Sequence, residues 1–360
     1  MNEFKLHRLG IVMEPEPGNA NETEGVLNPA AVRGPDGGLY LFPRLVAKGN
    51  YSRIGIAKVR FNENGDPIGV DRLGIALEPE ADYEKRLDGG GGCEDPRVTY
   101  SEPLKQYMMT YTAFSPEGPR IALAQSKDLI HWERLGLAEY SNYEDIQFNH
   151  IDNKDACLFP FEIMSPSGHP SIAMLHRPLF PGTRPEETVR YPIDREIREH
   201  HECIWISYSH YKAEQPIDCH LPKFVSNHPL AIPKQPWEKL KIGAGTPPIL
   251  TKHGWLFLYH GVSETTSPGM DKRQLSYSAG VMVLDKDDPH KILYRSPEPI
   301  LSPDLPEERV GVIADVVFPT GIDCRHDLGK PGVFDVYYGM ADNRIGVARL
   351  EIPDVLPTVF

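Results

Sequence analysis

Short apolar runs separated by turn residues recur along this chain in a fixed order. Arg53-Ile-Gly-Ile-Ala57, Arg120-Ile-Ala-Leu-Ala124 and Arg344-Ile-Gly-Val-Ala348 are near copies, and Ile204 to Ser209 and Ser278 to Leu284 supply comparable segments between the second and third. Just ahead of each copy lies an aromatic, apolar run: Tyr40 to Val46, Tyr107 to Ser115, Ser171 to Leu179, Trp255 to Val262, and Phe334 to Ala341. Ahead of those runs sits a third kind of segment, polar at its start and usually carrying proline. These segments are Asn28-Pro29, Asp95-Pro96, Lys154 to Pro160, Thr246-Pro247-Pro248, and Asp315 to Pro319. A fourth run follows the copies, clearest in Arg72-Leu-Gly-Ile-Ala76 and Arg134-Leu-Gly-Leu-Ala138. Runs this short and rich in β-branched and aromatic residues predict strands. Four strands per repeat and five repeats predict an all-β fold, a five-bladed β-propeller occupying residues 1–360 as one domain.

The chain ends carry the same signal. Arg8-Leu-Gly-Ile-Val12, followed by Glu14-Pro15-Glu16, matches Arg72-Leu-Gly-Ile-Ala76, followed by Glu78-Pro79-Glu80. The N-terminus reads as a fourth strand lacking its first three, and Asp315 to Leu350 as three strands lacking a fourth. The two are expected to complete one blade, which removes an exposed sheet edge. One stretch breaks the period: Gly182 to Glu202 is charged throughout and falls between the second and third strands of blade three. It reads as a loop or short helix at the mouth of the site, shaping the acceptor side or an oligomer contact. Its His200, His201 and Glu202 raise a metal site, but adjacent histidines point to opposite faces of a strand, so no metal is expected.

Composition narrows the function. The 360 residues are 40% hydrophobic and 25% charged, enough apolar material for a core, and the 35 prolines and 31 glycines are spread through the chain as turns require. A net charge of −13 gives no overall field for nucleic acid or an anionic membrane, so neither is an expected partner. The five cysteines are scattered without metal spacing and read as reduced thiols. No apolar leader or membrane-length apolar run is present, so the expected address is the cytoplasm.

In a propeller the first strand of each blade lines the axis, so Asn28, Glu94-Asp95, Asn153-Lys154-Asp155, Thr246 and Asp315 are expected to converge. The neighbouring strands add Arg44, Arg177, His260 and Asp342. Carboxylates, cations and a histidine in one funnel suit a polyhydroxylated substrate, where a carboxylic acid protonates a glycosidic oxygen. Trp132 and Trp237 read as blade packing, and the repeated Arg53, Arg120 and Arg344 as interblade pairs, with Arg53 kept as a candidate for the site.

Seven motifs then resemble the β-mannoside phosphorylases of glycoside hydrolase family 130. They are Gly91-Gly-Cys-Glu-Asp-Pro-Arg97, Asn153-Lys-Asp-Ala-Cys-Leu-Phe-Pro160, Leu175-His-Arg-Pro178, Gly245-Thr-Pro-Pro248 with Gly254-Trp-Leu-Phe-Leu-Tyr-His-Gly261, Arg295-Ser-Pro297, Val316-Val-Phe-Pro319, and Tyr337-Tyr-Gly-Met-Ala-Asp342. They occur in order over nearly the whole chain. The resemblance implies a five-bladed propeller that cleaves β-mannosides reversibly with inorganic phosphate and inversion, giving α-mannose 1-phosphate and a shortened acceptor. It implies Asp95 as proton donor, acting through the 3-hydroxyl of the mannose. Phosphate is a co-substrate and no cofactor is called for. The resemblance assigns phosphate to Arg177, Lys154, His260 and Tyr277. Bidentate arginine suits an anion that needs placing rather than deprotonating. Asn28, Arg44, Arg53, Glu94, Arg97, Asp155, Thr246, Asp315 and Asp342 are the substrate-binding candidates.

One departure bears on the reaction. Many family phosphorylases have a lysine after Pro-Pro-Ile, where this chain has Leu250, and family members that hydrolyse have lost basic residues around the phosphate. The alternative is therefore an inverting β-mannosidase with water activated by Glu264 or Asp315. A sugar-binding propeller without turnover is a further alternative. Linkage, acceptor and the choice between monomer and homo-oligomer stay open at this level.

Overall fold

The computed structural model describes residues 3–86, 89–144, 147–180, 202–212, 214–215, 221–265 and 274–358. The predicted insertion therefore lies outside the described residues except for Glu202. Among the described residues strands dominate, and helix is confined to single turns such as Pro306–Arg309. They fall into five antiparallel units of four main strands each. Unit one is Gly25–Arg33, Leu39–Ala47, Tyr51–Phe61 and Pro67–Leu77; unit two is Gly91–Ser101, Gln106–Ser115, Gly118–Ser126 and Glu133–Leu137. Unit three is Asp152–Leu158, Pro170–Leu179, Ile204–His210 and Ser226–Ala231; unit four is Lys241–Ala244, Gly254–Thr265, Gln274–Leu284 and Ile292–Arg295. Unit five joins both chain ends. Val317–Cys324, Val333–Met340 and Arg344–Glu351 are completed by Lys5–Met13, which pairs antiparallel with the last of them from Lys5↔Glu351 to Met13↔Ile345. Units one and two share one sheet through a short parallel pairing of Tyr51 with Gly91 and Ser52 with Gly92.

Burial explains why the inner strands lack polar alternation. Gly91–Ser101 is buried at every position but Tyr100, whereas the fourth strand Pro67–Leu77 is exposed along its middle. A strand covered on both faces loses the period-two pattern that a half-solvated strand keeps. Five of the apolar clusters each join consecutive units. Phe42 and Ile56 meet Met109 and Tyr111, Met108 and Leu123 meet Met174 and Trp205, and Leu175 and Ile206 meet Phe257 and Met282. Leu256 and Val283 meet Val336 and Leu350, and Val12 and Val347 meet Leu41 and Val59. Trp132 lies edge-on to Phe42 and Trp237 tilts onto Tyr259, so both serve packing as expected.

A repeated polar latch reinforces four of these junctions. Glu22, Glu84, Glu238 and Glu308 are buried, and each holds an arginine in the fourth strand of the next unit: Arg72, Arg134, Arg295 and Arg8 respectively. In three of them a tyrosine hydroxyl, from Tyr111, Tyr259 or Tyr338, donates to the same carboxylate. Backbone amides just ahead of the glutamate complete its shell. The arginines belong to the fourth-strand repeat visible in the sequence. Of the third-strand arginines expected to cross between units, only Arg120 does so, to Asp152; Arg53 and Arg344 pair with Glu78 and Glu14 inside their own units.

Candidate active site

Each first strand carries a β-bulge at one position. Pairing slips between Leu27 and Ala30, Glu94 and Arg97, Lys154 and Cys157, and Pro319 and Gly321. In unit four the amides of Gly245 and Thr246 both donate to the Leu258 carbonyl. A bulge turns its extra residue out of the ladder and re-aims the side chain. In units one to three that residue is Asn28, Asp95 or Asp155, at left-handed φ of 44°, 45° and 58°. Asn and Asp tolerate this conformation better than other residues with a Cβ. In units four and five the equivalent residues are Gly245 and Pro319, not the Thr246 and Asp315 that the sequence pattern suggests. Thr246 is buried and its hydroxyl accepts from the Leu258 amide. Asp315 precedes its strand and accepts from the Gln274 side chain.

The bulges open onto a cavity of about 460 Å3 lined by Asn28, Arg44, Asp95, Lys154, Asp155, Arg177, His260, Tyr277 and Asp342 among the expected residues. Asp95 is 6% exposed. Its carboxylate accepts from Asn28 Nδ2 at 2.8 Å and Arg44 Nη1 at 3.3 Å, with Lys154 Nζ at 3.9 Å. Burial opposes its charge, but Arg44, Lys154 and Arg97 outweigh that and hold the carboxyl below the usual carboxylate value. Glu94 stands behind it, bridging Arg44 at 2.9 Å and Lys154 at 3.4 Å.

A second group shares the cavity wall. Arg177 donates through Nε to Asp155 at 2.6 Å and through Nη1 to Glu202. Lys241 reaches the same Glu202 oxygen at 3.5 Å and lies over the Tyr277 ring, 5.8 Å from its centroid. His260 is 1% exposed and stacks near Tyr277 and Phe318. Burial pulls its pKa down to about 3, so the ring is neutral. Among the described residues neither of its nitrogens has a hydrogen-bond partner, although Nε2 lies 3.5 Å from Asp155 Oδ2, and Asn28 Oδ1 also lacks one. Buried polar atoms without partners, lining a cavity, are prepared for a ligand. Gly243 is the residue that lets this group assemble: a Cβ there would lie 2.2 Å from Asp155 Oδ2 and 2.4 Å from His260 Cε1.

Glu202 and Lys241 are the charged cavity residues that the sequence reading did not assign to the site. Lys241 faces Val262 on the strand that carries His260, so its signal was register rather than motif. Leu250 does not mark a lost cation. It is exposed at a separate cavity with Phe161, Ile249 and Lys252, beyond the far ends of the first strands. The strand has left the central cavity by then, and Lys241 supplies a cation to it. Arg53 faces Glu78 and does not line the cavity; nor does Glu264, exposed near the end of its strand. Arg97 is buried beneath the floor, donating to the carbonyls of Gly245 and Asp95, where it supports the bulges rather than meeting a ligand.

The match to known proteins agrees with this geometry. A family model described as β-1,4-mannooligosaccharide phosphorylase, of glycoside hydrolase family 130, matches residues 6–359. The chain belongs to this family. It is 33% identical to the 1,2-β-oligomannan phosphorylase of Thermoanaerobacter sp. (strain X514), over 98% of this chain and 99% of that protein. The structure of a β-1,2-mannobiose phosphorylase from Listeria innocua, in complex with β-1,2-mannobiose, superposes with a TM-score of 0.67 at 22% identity, covering 96% of this chain and 97% of that one. A further family 130 structure, from work describing glycoside hydrolases that target β-1,2 mannosidic linkages in Candida mannan, superposes with a TM-score of 0.68 at 23% identity, over 100% of this chain and 96% of that one. The fold in this family is thus shared by proteins described as phosphorylases and as hydrolases, and the side chains in the cavity must distinguish them. Among the described residues no helix is long and apolar enough to cross a membrane, and no cluster of histidine, cysteine or carboxylate side chains has the form of a metal site.

Asp342 bears on how stability depends on pH. It lines the cavity, and burial raises its pKa to about 6, Arg44 opposing and Asp95 adding to the rise. A carboxyl raised in the folded state destabilises the fold once it ionises. Asp342→Asn is therefore expected to raise stability above pH 6, the gain fading as pH falls from 6 towards 4. Asn suits the residue's φ of 49°. Denaturant melts of both proteins across that range test this, and a pH-independent difference would refute it.

Proposed function

We propose that the protein is a five-bladed β-propeller forming one domain, and that it cleaves β-mannosides by inverting phosphorolysis. The fold reading is supported by apolar clusters joining every consecutive pair of units, the fifth to the first included, and by both chain ends sharing one sheet. The observation that carries the activity is the cluster of Arg177, Lys241, neutral His260 and Tyr277 in the same cavity as Asp95. Arg177 and Lys241 compensate the phosphate charge, and His260 offers it a hydrogen bond. Arg44, Asn28 and Asp342 are placed to hold sugar hydroxyls. Lys154 lies closer to Glu94 and Asp95 than to this cluster, so we assign it to the acid.

In the forward direction Asp95 must carry a proton to deliver towards the glycosidic oxygen, while phosphate attacks the anomeric carbon from the opposite face. Entry of sugar excludes water, and the phosphate anion adds negative charge; both push the Asp95 carboxyl upward. In reverse, the ionised Asp95 that the cations already favour accepts the proton from the acceptor. Because the free site favours the carboxylate, phosphorolysis is expected to have its pH optimum on the acid side of the optimum for synthesis. Initial rates in both directions across pH test this, and coincident optima would contradict it.

Synthesis from α-mannose 1-phosphate with a panel of mannose, glucose and N-acetylhexosamine acceptors is the direct test. Phosphate release with a particular acceptor establishes the reaction and names that acceptor. Phosphate-independent cleavage of mannobioses with no release would establish a hydrolase instead.

A further inference from the structure

The two cations of the phosphate cluster already have carboxylate partners. Arg177 bonds Asp155 and Glu202, Lys241 faces Glu202, His260 is neutral, and the buried Arg97 lies 4.0 Å from Asp155 beneath the floor. An added phosphate would have to share Arg177 and Lys241 with these carboxylates in a partly desolvated site, which is costly unless one of them withdraws. Asp155 cannot withdraw easily. Its side chain is 1% exposed, fixed by the bulge of its strand and bonded to Arg177 at 2.6 Å. Glu202 is also bonded to Arg177, but it differs in exposure and in its place on the backbone. Its side chain is 24% exposed and it precedes the strand Ile204–His210, its backbone held by a bridge to Leu179 and by its carbonyl accepting from the Ile242 amide. Its carboxylate therefore occupies, between Arg177 and Lys241, the place an anion would take, on a side chain with room to leave.

We propose that Glu202 is a built-in competitor of phosphate, a specificity-determining residue whose carboxylate fills the anion position in the free enzyme and is displaced when phosphate binds. This rests on assigning Arg177, Lys241, His260 and Tyr277 to phosphate. The device keeps two desolvated cations paired when no substrate is present. It also weakens phosphate binding, which eases phosphate release when the reaction runs towards synthesis.

The test is calorimetric titration of inorganic phosphate into the wild type, Glu202→Gln, Glu202→Asp and Arg177→Met. Removing the competing charge without changing shape should tighten phosphate binding about fivefold or more in Glu202→Gln. Glu202→Asp keeps the charge but shortens its reach, and should give a smaller tightening. Arg177→Met should weaken binding at least about tenfold. The KM for phosphate should follow these changes while the KM for the β-mannoside does not. If Arg177→Met weakens binding but Glu202→Gln leaves it unchanged or weaker, the competitor role is overturned and the phosphate site stands. If Arg177→Met binds phosphate like the wild type, the phosphate assignment itself fails. Should Glu202→Gln not fold, Glu202→Asp decides alone: binding no tighter than wild type overturns the proposal.

Discussion

Asp95→Asn is expected to lower kcat by about 10^2 to 10^4-fold in both directions, the range of a lost general acid, while leaving β-mannoside binding largely intact. The substitution keeps size and the left-handed φ of 45°, which Asn accepts. It also keeps an acceptor oxygen for Asn28, whose Nδ2 donates to the carboxylate at 2.8 Å. What it removes is the proton and the charge that balances Arg44 and Lys154. Steady-state rates with the β-mannoside and phosphate, together with direct titration of the sugar, check this. A variant that retains more than a tenth of the wild-type kcat would exclude Asp95 as the acid. The same variant separates an enzyme from a sugar-binding protein, because a protein without turnover has no rate to lose.

Glu84→Ala is the substitution with the largest expected effect on stability, costing about 3–5 kcal/mol, as for a buried ion pair stripped of one partner. Glu84 is fully buried and accepts from Arg134 Nε at 2.9 Å and Nη2 at 3.0 Å, from the Tyr111 hydroxyl, and from the amides of Glu80 and Ala81. Truncation leaves the guanidinium, the hydroxyl and two amides to find other partners. Burial works against the carboxylate, but Arg134 and Tyr111 outweigh it and hold its pKa below the ordinary 4.5. Its contribution is therefore complete above that pH and is lost as pH falls through the lower folded value. Chemical denaturation at neutral pH should show the full loss, and the gap between wild type and Glu84→Gln should narrow in acid. A loss under 1 kcal/mol at neutral pH would mean the latch is incidental to the junction between units one and two. The junction between units two and three lacks such a latch among the described residues, and relies on Arg120 with Asp152 and on a two-residue parallel pairing of Glu139–Tyr140 with Lys223–Phe224.

The strands were legible in the sequence because each repeats at a fixed place in its unit with its own chemistry: polar and proline-marked, aromatic, Arg-Ile-Gly-like, Arg-Leu-Gly-like. The matching ends, Arg8-Leu-Gly-Ile-Val12 against Arg72-Leu-Gly-Ile-Ala76, gave the N-terminal strand its place beside Arg344–Glu351. The candidate site was legible where a motif coincided with a bulge, as at Asn28, Asp95 and Asp155. It was misplaced where the motif and the bulge part company: Thr246 is one residue past the bulge position and Asp315 four residues before it. Sequence similarity aligned prolines; hydrogen-bond register aligns backbone, and only the second sets which side chain faces the cavity.

Cations show the same division most clearly. By itself the sequence determined that the chain is all-β, that it repeats in five units, and that Asp95 lies on a first strand with Arg177 and His260 on second strands beside it. Its motifs also carried the family. Leu250 looked like a missing phosphate ligand because many family phosphorylases have a lysine after Pro-Pro-Ile, yet its side chain opens onto a different cavity. Lys241 carries no motif, and comes to the site because it lies two pairs from His260 across an antiparallel ladder. Glu202, at the edge of a charged stretch, looked like solvated surface until Arg177 and Lys241 were brought against it. Local patterning fixes strands because backbone pairing and burial act on every residue alike. The charge balance of a site is set by a few atoms from distant segments, and only the packed structure decides their distances.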